Sequence, residues 1–288
     1  MNVLPFVFVL LAAMLWGTVG TTQTFLTEGV SPFAVASVRS AIGGGILLLA
    51  VIGMRKISFR HWSWKWTILA ALAIALFQSL FFSSVRYTGV AVGTVVTIGS
   101  SPVFAGIIEW LFWKIRPSKL WGIATGLAIV GCILLFTNRG EAVVDPIGVC
   151  LALAAGFMFA LYTNVSKQLM QREETLPAVA MTFTICAVML LPFAVGEGFS
   201  WLKEGANFAA MLFMALAATS IAYLLFLSGL KKVSSSAAVT LSLAEPLTAA
   251  LLGVFLVGEY LSPLSWLGVS LLLGGIVVLT FGGRKATS

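Results

Sequence analysis

Charge is what this chain lacks most. Only 9% of its 288 residues are Asp, Glu, Lys or Arg, while 60% are hydrophobic and the mean hydropathy is +1.06. A water-soluble globule cannot enclose that much apolar side chain behind so little polar surface, so lipid is the expected solvent. Histidine is nearly missing as well. The sole one, His61, falls in a basic loop with no nucleophile or ligand spacing near it, which removes the usual equipment of an intramembrane hydrolase or metalloenzyme. No enzymatic activity, cofactor or metal is expected. The three cysteines, Cys132, Cys150 and Cys186, stand singly in or beside apolar segments and read as small core residues rather than a disulfide framework. Long polar connections are absent too, which excludes a soluble domain between the apolar runs.

What is present is a series of apolar spans, each near the 20 residues that a helix needs to cross a hydrocarbon core of about 30 Å. Ten are predicted, at 4–25, 32–54, 63–86, 89–113, 118–137, 146–167, 175–197, 206–229, 234–257 and 263–282. The first has no cationic leader and carries Pro5 and Trp16 where a cleavable signal has its charged start and plain apolar middle, so it reads as a retained helix. The expected fold class is therefore an all-α integral membrane protein.

The chain also echoes itself at half its length. Offset by 144 residues, Ser101-Pro102-Val103-Phe104-Ala105 falls on Glu245-Pro246-Leu247-Thr248-Ala249, and Gly131 falls on Gly275. At an offset of 145, Ser31-Pro32 meets Leu176-Pro177. Paired prolines in matching apolar segments point to a duplicated membrane unit, with a first five-helix repeat over 1–140 and a second over 141–288. Five crossings are an odd number, so the second unit starts on the opposite side from the first and the repeats are inverted. Inverted repeats are typical of secondary transporters, which hold substrate at the midplane between the halves.

Charge placement sets the orientation. With the N-terminus inside, the inner loops receive Arg55, Lys56, Arg60, Lys65, Lys114, Arg116, Lys119, Lys167, Arg172, Lys231, Lys232, Arg284 and Lys285, and the outer loops only Arg86, Arg139 and Lys203. The acids Glu28, Glu141, Asp145, Glu197, Glu204 and Glu259 gather outside. Cationic loops face the cytoplasm, so both termini are expected there, in a multi-pass inner (plasma) membrane protein. The net charge of +7 is then an orientation signal beside anionic lipid, and nucleic acid is not an expected partner.

Polar residues inside the spans are the candidates for function. Arg39 lies roughly 10 Å below the outer end of the second span, at about 1.5 Å per residue. A cation at such depth costs about 2.5–3.5 kcal/mol, so it should face protein or water, as a helix lock, as an anchor for a substrate carboxylate or as a gate on the outer side. Glu245 lies near the midplane, directly before Pro246, with Ser101 at the matching place in the first half. It reads as a pocket or proton-coupling residue, or as a hydrogen-bond partner for an exposed helix end. Pro102 and Pro246 each remove a backbone donor and are predicted to break or bend their helices at symmetric depths. Glu109, among Trp110, Trp113 and Lys114, reads as interfacial, and Trp62, Trp64, Trp66, Trp121 and Trp266 as an aromatic belt. Trp16 is at mid-depth, packed between helices or lining a cavity. Gln78, Ser101, Tyr162, Asn164, Tyr223 and Thr240 are further substrate-binding candidates, with Thr21, Thr22, Gln23, Thr94, Thr97, Ser100 and Ser242 beside them. Gly43, Gly44, Gly45, Gly122, Gly126, Gly274 and Gly275 are expected to permit close helix contact.

The pattern Trp16-Gly17, Pro32 with Arg39, Pro102, and Glu245-Pro246 followed by Gly258-Glu259 resembles the EamA-type family of the drug/metabolite transporter superfamily, over nearly the whole chain. The resemblance implies two inverted five-helix repeats and a central cavity bounded by the first, third, fourth and sixth to ninth helices. It also implies export of amino acids, related metabolites or drugs from bacteria. The first half departs from the pattern where Lys114-Ile115-Arg116 replaces the Gly-Glu of 258–259. The leading expectation is a secondary exporter of small metabolites, amino acids or related compounds, working by alternating access as a monomer or homodimer, with proton coupling through Glu245. Efflux of hydrophobic cations, with Glu245 as counter-charge, is the second transport reading. A channel or membrane receptor is the alternative of another class.

Overall fold

The computed structural model describes residues 3–27, 29–55, 61–136, 145–195, 198–258 and 260–282. The loop charges Lys56, Arg60, Arg139, Arg284, Lys285, Glu28, Glu141, Glu197 and Glu259 lie outside the described residues. Regular structure among the described residues is entirely helical: α1 (Leu4–Gln23), α2 (Pro32–Gly53), α3 (Trp64–Trp113), α4 (Lys119–Phe136), α5 (Pro146–Leu169), α6 (Thr175–Val195), α7 (Gly205–Phe213), α8 (Ala222–Leu230), α9 (Ser235–Leu241), α10 (Ala244–Leu252) and α11 (Pro263–Gly282). Wide π-helical turns at Met214–Ile221 and Gly253–Val257 continue α7 into α8 and extend α10. Among the described residues nine helical stretches are long and apolar enough to cross a bilayer, and large apolar side chains such as Leu49, Phe112 and Phe255 point outward. This is a multi-pass membrane protein.

Several helix starts follow directly from the sequence. Pro32 and Pro146 stand in the first turns of α2 and α5, where the missing N–H has no helical partner to lose. Ser31 Oγ accepts from Phe33 N at 3.3 Å, and Asp145 Oδ1 accepts from Ile147 N at 2.8 Å, so each start is capped.

The long helix α3 is two arms rather than one rod. Gly89 has φ 77° and ψ 167°, a conformation open essentially to glycine alone. A methyl placed on Gly93 would stand 3.3 Å from Val85 Cα, whereas a straight helix separates residues eight apart by about 12 Å. The chain therefore doubles back at Gly89. Each arm, 64–88 and 90–113, is roughly 36 Å long and can span a hydrocarbon core.

Contacts between the halves exchange under the 144-residue shift. On α4 and α11, Gly131 packs on Gly268 with a methyl-to-carbonyl distance of 2.6 Å, and Gly275 packs on Ala124 at the same 2.6 Å. Shifting the pair 131 and 268 by 144 turns it into the pair 275 and 124. Reciprocal contact of this kind is what a twofold axis produces. Gly43 and Gly44 also make close backbone contacts, to Ala215 and to Phe183–Thr184. By contrast Gly45, Gly122, Gly126 and Gly274 have open space where a side chain would go. The expected packing face at Gly122 and Gly126 is thus corrected: both are exposed on α4.

Candidate functional site

A cavity of about 400 Å³ lies between the halves. Its wall comes chiefly from α1, both arms of α3, and the segment 239–253, with single residues from α2 (Arg39), α4 (Phe136), α5 (Phe159) and α8 (Tyr223). The seventh predicted span, 175–197, supplies no lining residue, and the second and fifth supply one each, so the expected set of bounding helices is amended. Seven of its lining residues are aromatic: Trp16, Phe77, Phe81, Phe82, Phe136, Phe159 and Tyr223.

Arg39 enters this apolar chamber from α2. Its Nη2 donates to Gln78 Oε1 at 2.8 Å, and Gln78 Nε2 in turn donates to Cys186 Sγ at 3.5 Å, which fixes the amide with its oxygen toward the guanidinium. Thr184, the counterpart of Arg39 in the second half, donates to Ala180 O within its own helix. Trp16 is 6% exposed and packs against Tyr223 and Phe226 at ring-centroid distances of 4.8 and 5.2 Å. Among the described residues its indole N–H has no hydrogen-bond acceptor.

Glu245 reaches the cavity because the helix is interrupted just before it. Between α9 and α10, Leu243 N bonds to Thr240 O at 3.1 Å and Glu245 N to Ser242 O at 2.9 Å, a tightened turn. Pro246 has no N–H, and its ring excludes an α-helical Ser242 carbonyl four residues back, so the break falls where proline chemistry puts it. Ser242, Glu245 and Pro246 all line the cavity. Pro102 behaves differently. It is buried and off the cavity, and its arm of α3 runs through it with Gly89 as the one non-helical residue. Its neighbour Ser101 does line the cavity, with its hydroxyl donated to Thr97 O at 2.7 Å.

Three of the predicted binding residues are turned away. Thr240 is fully buried, accepts from Trp121 Nε1 at 3.1 Å, shares a 2.9 Å bond with Thr125 Oγ1 and donates to Ser236 O at 2.9 Å. It joins α4 to α9. Asn164 Nδ2 donates to Ala105 O at 3.3 Å and Ala160 O at 3.0 Å, tying α5 to α3. Tyr162 is fully buried behind the wall, with its ring against Phe159 and Tyr223. Glu109 is also corrected. It is 3% exposed rather than interfacial, and its carboxylate accepts from Ser235 N at 3.0 Å, Ser236 N at 3.2 Å and Ser236 Oγ at 2.6 Å. The phenylalanines of the wall were missed because in a lipid-facing chain they look like lipid contacts. The spacing of Phe77 and Phe81, four apart on one helical face and stacked at 6.0 Å, was the available signal.

With this geometry in view, the EamA-like transporter family matches the chain twice, over residues 4–137 and 146–281. The chain belongs to that family. It is 46% identical over 278 residues to the uncharacterized transporter YwfM of Bacillus subtilis, covering 96% of this chain and 94% of that one. It is 28% identical over 295 residues to the uncharacterized inner membrane transporter YicL of Salmonella typhimurium, covering 96% and 95%. A solved crystal structure superposes with a TM-score of 0.86 over 99% of both chains, at 19% identity, and shares the fold. The EamA assignment thus rests on two matches, one per half.

Proposed function

We propose that this EamA protein is a secondary transporter of ten crossings, in two inverted repeats over 1–140 and 141–288. It exports amino acids or related small metabolites through the inner membrane by alternating access, with both termini cytoplasmic. The observation that carries the substrate reading is a guanidinium, Arg39, and a carboxyl group, Glu245, set into one aromatic chamber. A zwitterion with an apolar side chain complements all three surfaces. Two features support the orientation. Lys167 and the 231–234 turn with Lys231 and Lys232 share one end of the bundle with Pro5, whose carbonyl touches Gly229. Thr27 bonds to Glu204 at the opposite end, where Gln23 and Thr24 form the cavity mouth. Cationic loops face the cytoplasm, so the cavity opens outward. The aromatic wall with Glu245 also favours a second reading, efflux of hydrophobic cations, through ring-face attraction.

Metabolite profiling of the medium from overexpressing cells, followed by counterflow in proteoliposomes, tests the assignment. A charge-assisted hydrogen bond contributes about 1.5–3 kcal/mol, so Arg39→Gln is expected to lower counterflow of carboxylated substrates by roughly tenfold or more while sparing cations. Glu245→Gln is expected to abolish proton-coupled export. An unchanged medium on overexpression of the parent protein refutes export.

A further inference from the structure

The cavity stops short of the cytoplasmic end. Its lining residue nearest the start of α9 is Val239, and Val239 belongs to a buried apolar cluster with Ala105, Ile108 and Ala160. Beyond this plug sits the Glu109 carboxylate with its three donors from Ser235 and Ser236. On the same turn, Lys167 Nζ donates to Leu230 O at 2.7 Å and to Val233 O. The turn from α8 to α9 is therefore gripped by a carboxylate on its N–H side and an ammonium on its carbonyl side, each matching the local backbone dipole. Glu109 belongs to the first half and its donors to the second, so this grip spans the repeats.

At the opposite end the described residues do not repeat this clasp at the symmetry-related positions. Shifted by 144 residues, Glu109, Ser235 and Ser236 become Gly253, Ala91 and Val92, and Lys167 becomes Gln23. Gly253 and Gln23 line the open cavity. A scaffold with twofold contacts thus carries the carboxylate–serine clasp over a plugged path at one end, whereas at the other the polar link of Thr27 to Glu204 and Asn207 lies off the symmetry-related positions and the cavity stays open beside it. We propose that the Glu109 clasp, over the plug of Ala105, Ile108, Ala160 and Val239, is an inner lock that biases the unloaded carrier toward its outward-open state and separates when substrate enters from the cytoplasm. This rests on the carrier reading above. Opening must part 105–109 from 235–239, and water then replaces the donors of Glu109. The lock therefore weakens in step with hydration of the inner path, and a carboxylate left buried without its donors is strongly disfavoured.

Thiol accessibility tests the lock without any substrate, so failure of the amino acid reading leaves the test intact. In a background with Cys132, Cys150 and Cys186 replaced by alanine, Ala105→Cys reports on the inner path and Thr94→Cys on the outer cavity. A membrane-impermeant methanethiosulfonate reagent is applied to inside-out and right-side-out vesicles. In the parent background, Ala105→Cys should react slowly from the cytoplasmic side and Thr94→Cys readily from outside. Adding Glu109→Ala should raise the inner rate at Ala105→Cys by about tenfold or more, the effect expected from losing charge-assisted bonds, and lower the outer rate at Thr94→Cys. Ser236→Ala, which removes only the hydroxyl donor, should raise the inner rate severalfold. Unchanged inner rates in a monodisperse Glu109→Ala protein overturn the proposal. If that variant does not fold, an unchanged rate in Ser236→Ala overturns it equally.

Discussion

Gly17 and Gly20 lie one turn apart on α1 and both line the cavity, yet they differ in what they tolerate. An alanine methyl at 17 would stand 2.7 Å from the Glu245 carbonyl oxygen and 2.7 Å from Thr248 Cβ, while at 20 it would meet nothing within 4 Å. Ordinary contact begins near 3.4 Å, so Gly17→Ala must force α1 and α10 apart by most of an ångström. Overpacking of this kind costs about 1–3 kcal/mol. Replacing glycine by alanine in a helix returns about 0.5–1 kcal/mol. The balance predicts that Gly17→Ala is destabilised by roughly 0.5–2 kcal/mol and Gly20→Ala stabilised by roughly 0.5–1 kcal/mol. At about 2–4 °C per kcal/mol, the midpoint in detergent should fall by roughly 1–8 °C for Gly17→Ala and rise by roughly 1–4 °C for Gly20→Ala.

The fraction remaining monodisperse after heating, read by size-exclusion chromatography, gives both midpoints. Transport supplies an independent readout. The atom displaced by Gly17→Ala is the backbone carbonyl of Glu245 itself, so the initial rate of counterflow should fall further than the stability loss alone explains. Equal midpoints for the two variants would refute the close approach of α1 to α10, and with it the placement of Glu245 beside Trp16-Gly17.

Three other substitutions probe the frame around the cavity. Gly131→Ala and Gly275→Ala occupy symmetry-related contacts, each with a carbonyl 2.6 Å from the added methyl, so by the same balance each should lose about 0.5–2 kcal/mol of stability; a large loss at one and none at the other would contradict the twofold exchange. Thr240→Val removes the acceptor of the half-buried Trp121 indole N–H and of the Thr125 hydroxyl and should cost about 1–3 kcal/mol with the KM for transport unchanged, whereas a raised KM would return Thr240 to the binding site.

Helix positions were legible because a membrane span announces itself twice, by an apolar run and by the residues that start or end it. The predicted starts at 4, 32, 146, 175 and 263 coincide with those of α1, α2, α5, α6 and α11, and the predicted gap at 87–88 ends one residue before Gly89, the non-helical residue of α3. Rotation about the helix axis was not legible. In a water-soluble helix the polar stripe marks the exposed face, but here lipid and protein interior are both apolar, so the stripe carries little information. That is why Thr240 and Asn164, which satisfy backbone and indole groups between helices, resembled cavity residues, and why Gly122 and Gly126 resembled a packing face. The wide turns at Met214–Ile221 and Gly253–Val257 left no sequence mark, since no proline or glycine pair is needed to insert one residue into a helical turn.

The two prolines show most clearly where sequence stops and packing begins. Pro102 and Pro246 occupy matching places in the repeats and remove the same backbone donor. Yet the arm holding Pro102 stays helical, and the stretch before Pro246 breaks at 242–243. The difference lies in what each helix rests on. The 90–113 arm is splinted by α5, where Gly156 meets Thr97 and Ser100 and Asn164 grips Ala105 O. The stretch before Pro246 instead faces the cavity through Ser242 and Glu245. Non-helical backbone at membrane depth is tolerated where it lines a hydrated space. Proline therefore specified two positions at which the helix is weakened, and the neighbouring surface decided that only the one facing the cavity would open, placing Glu245 rather than Ser101 at the break.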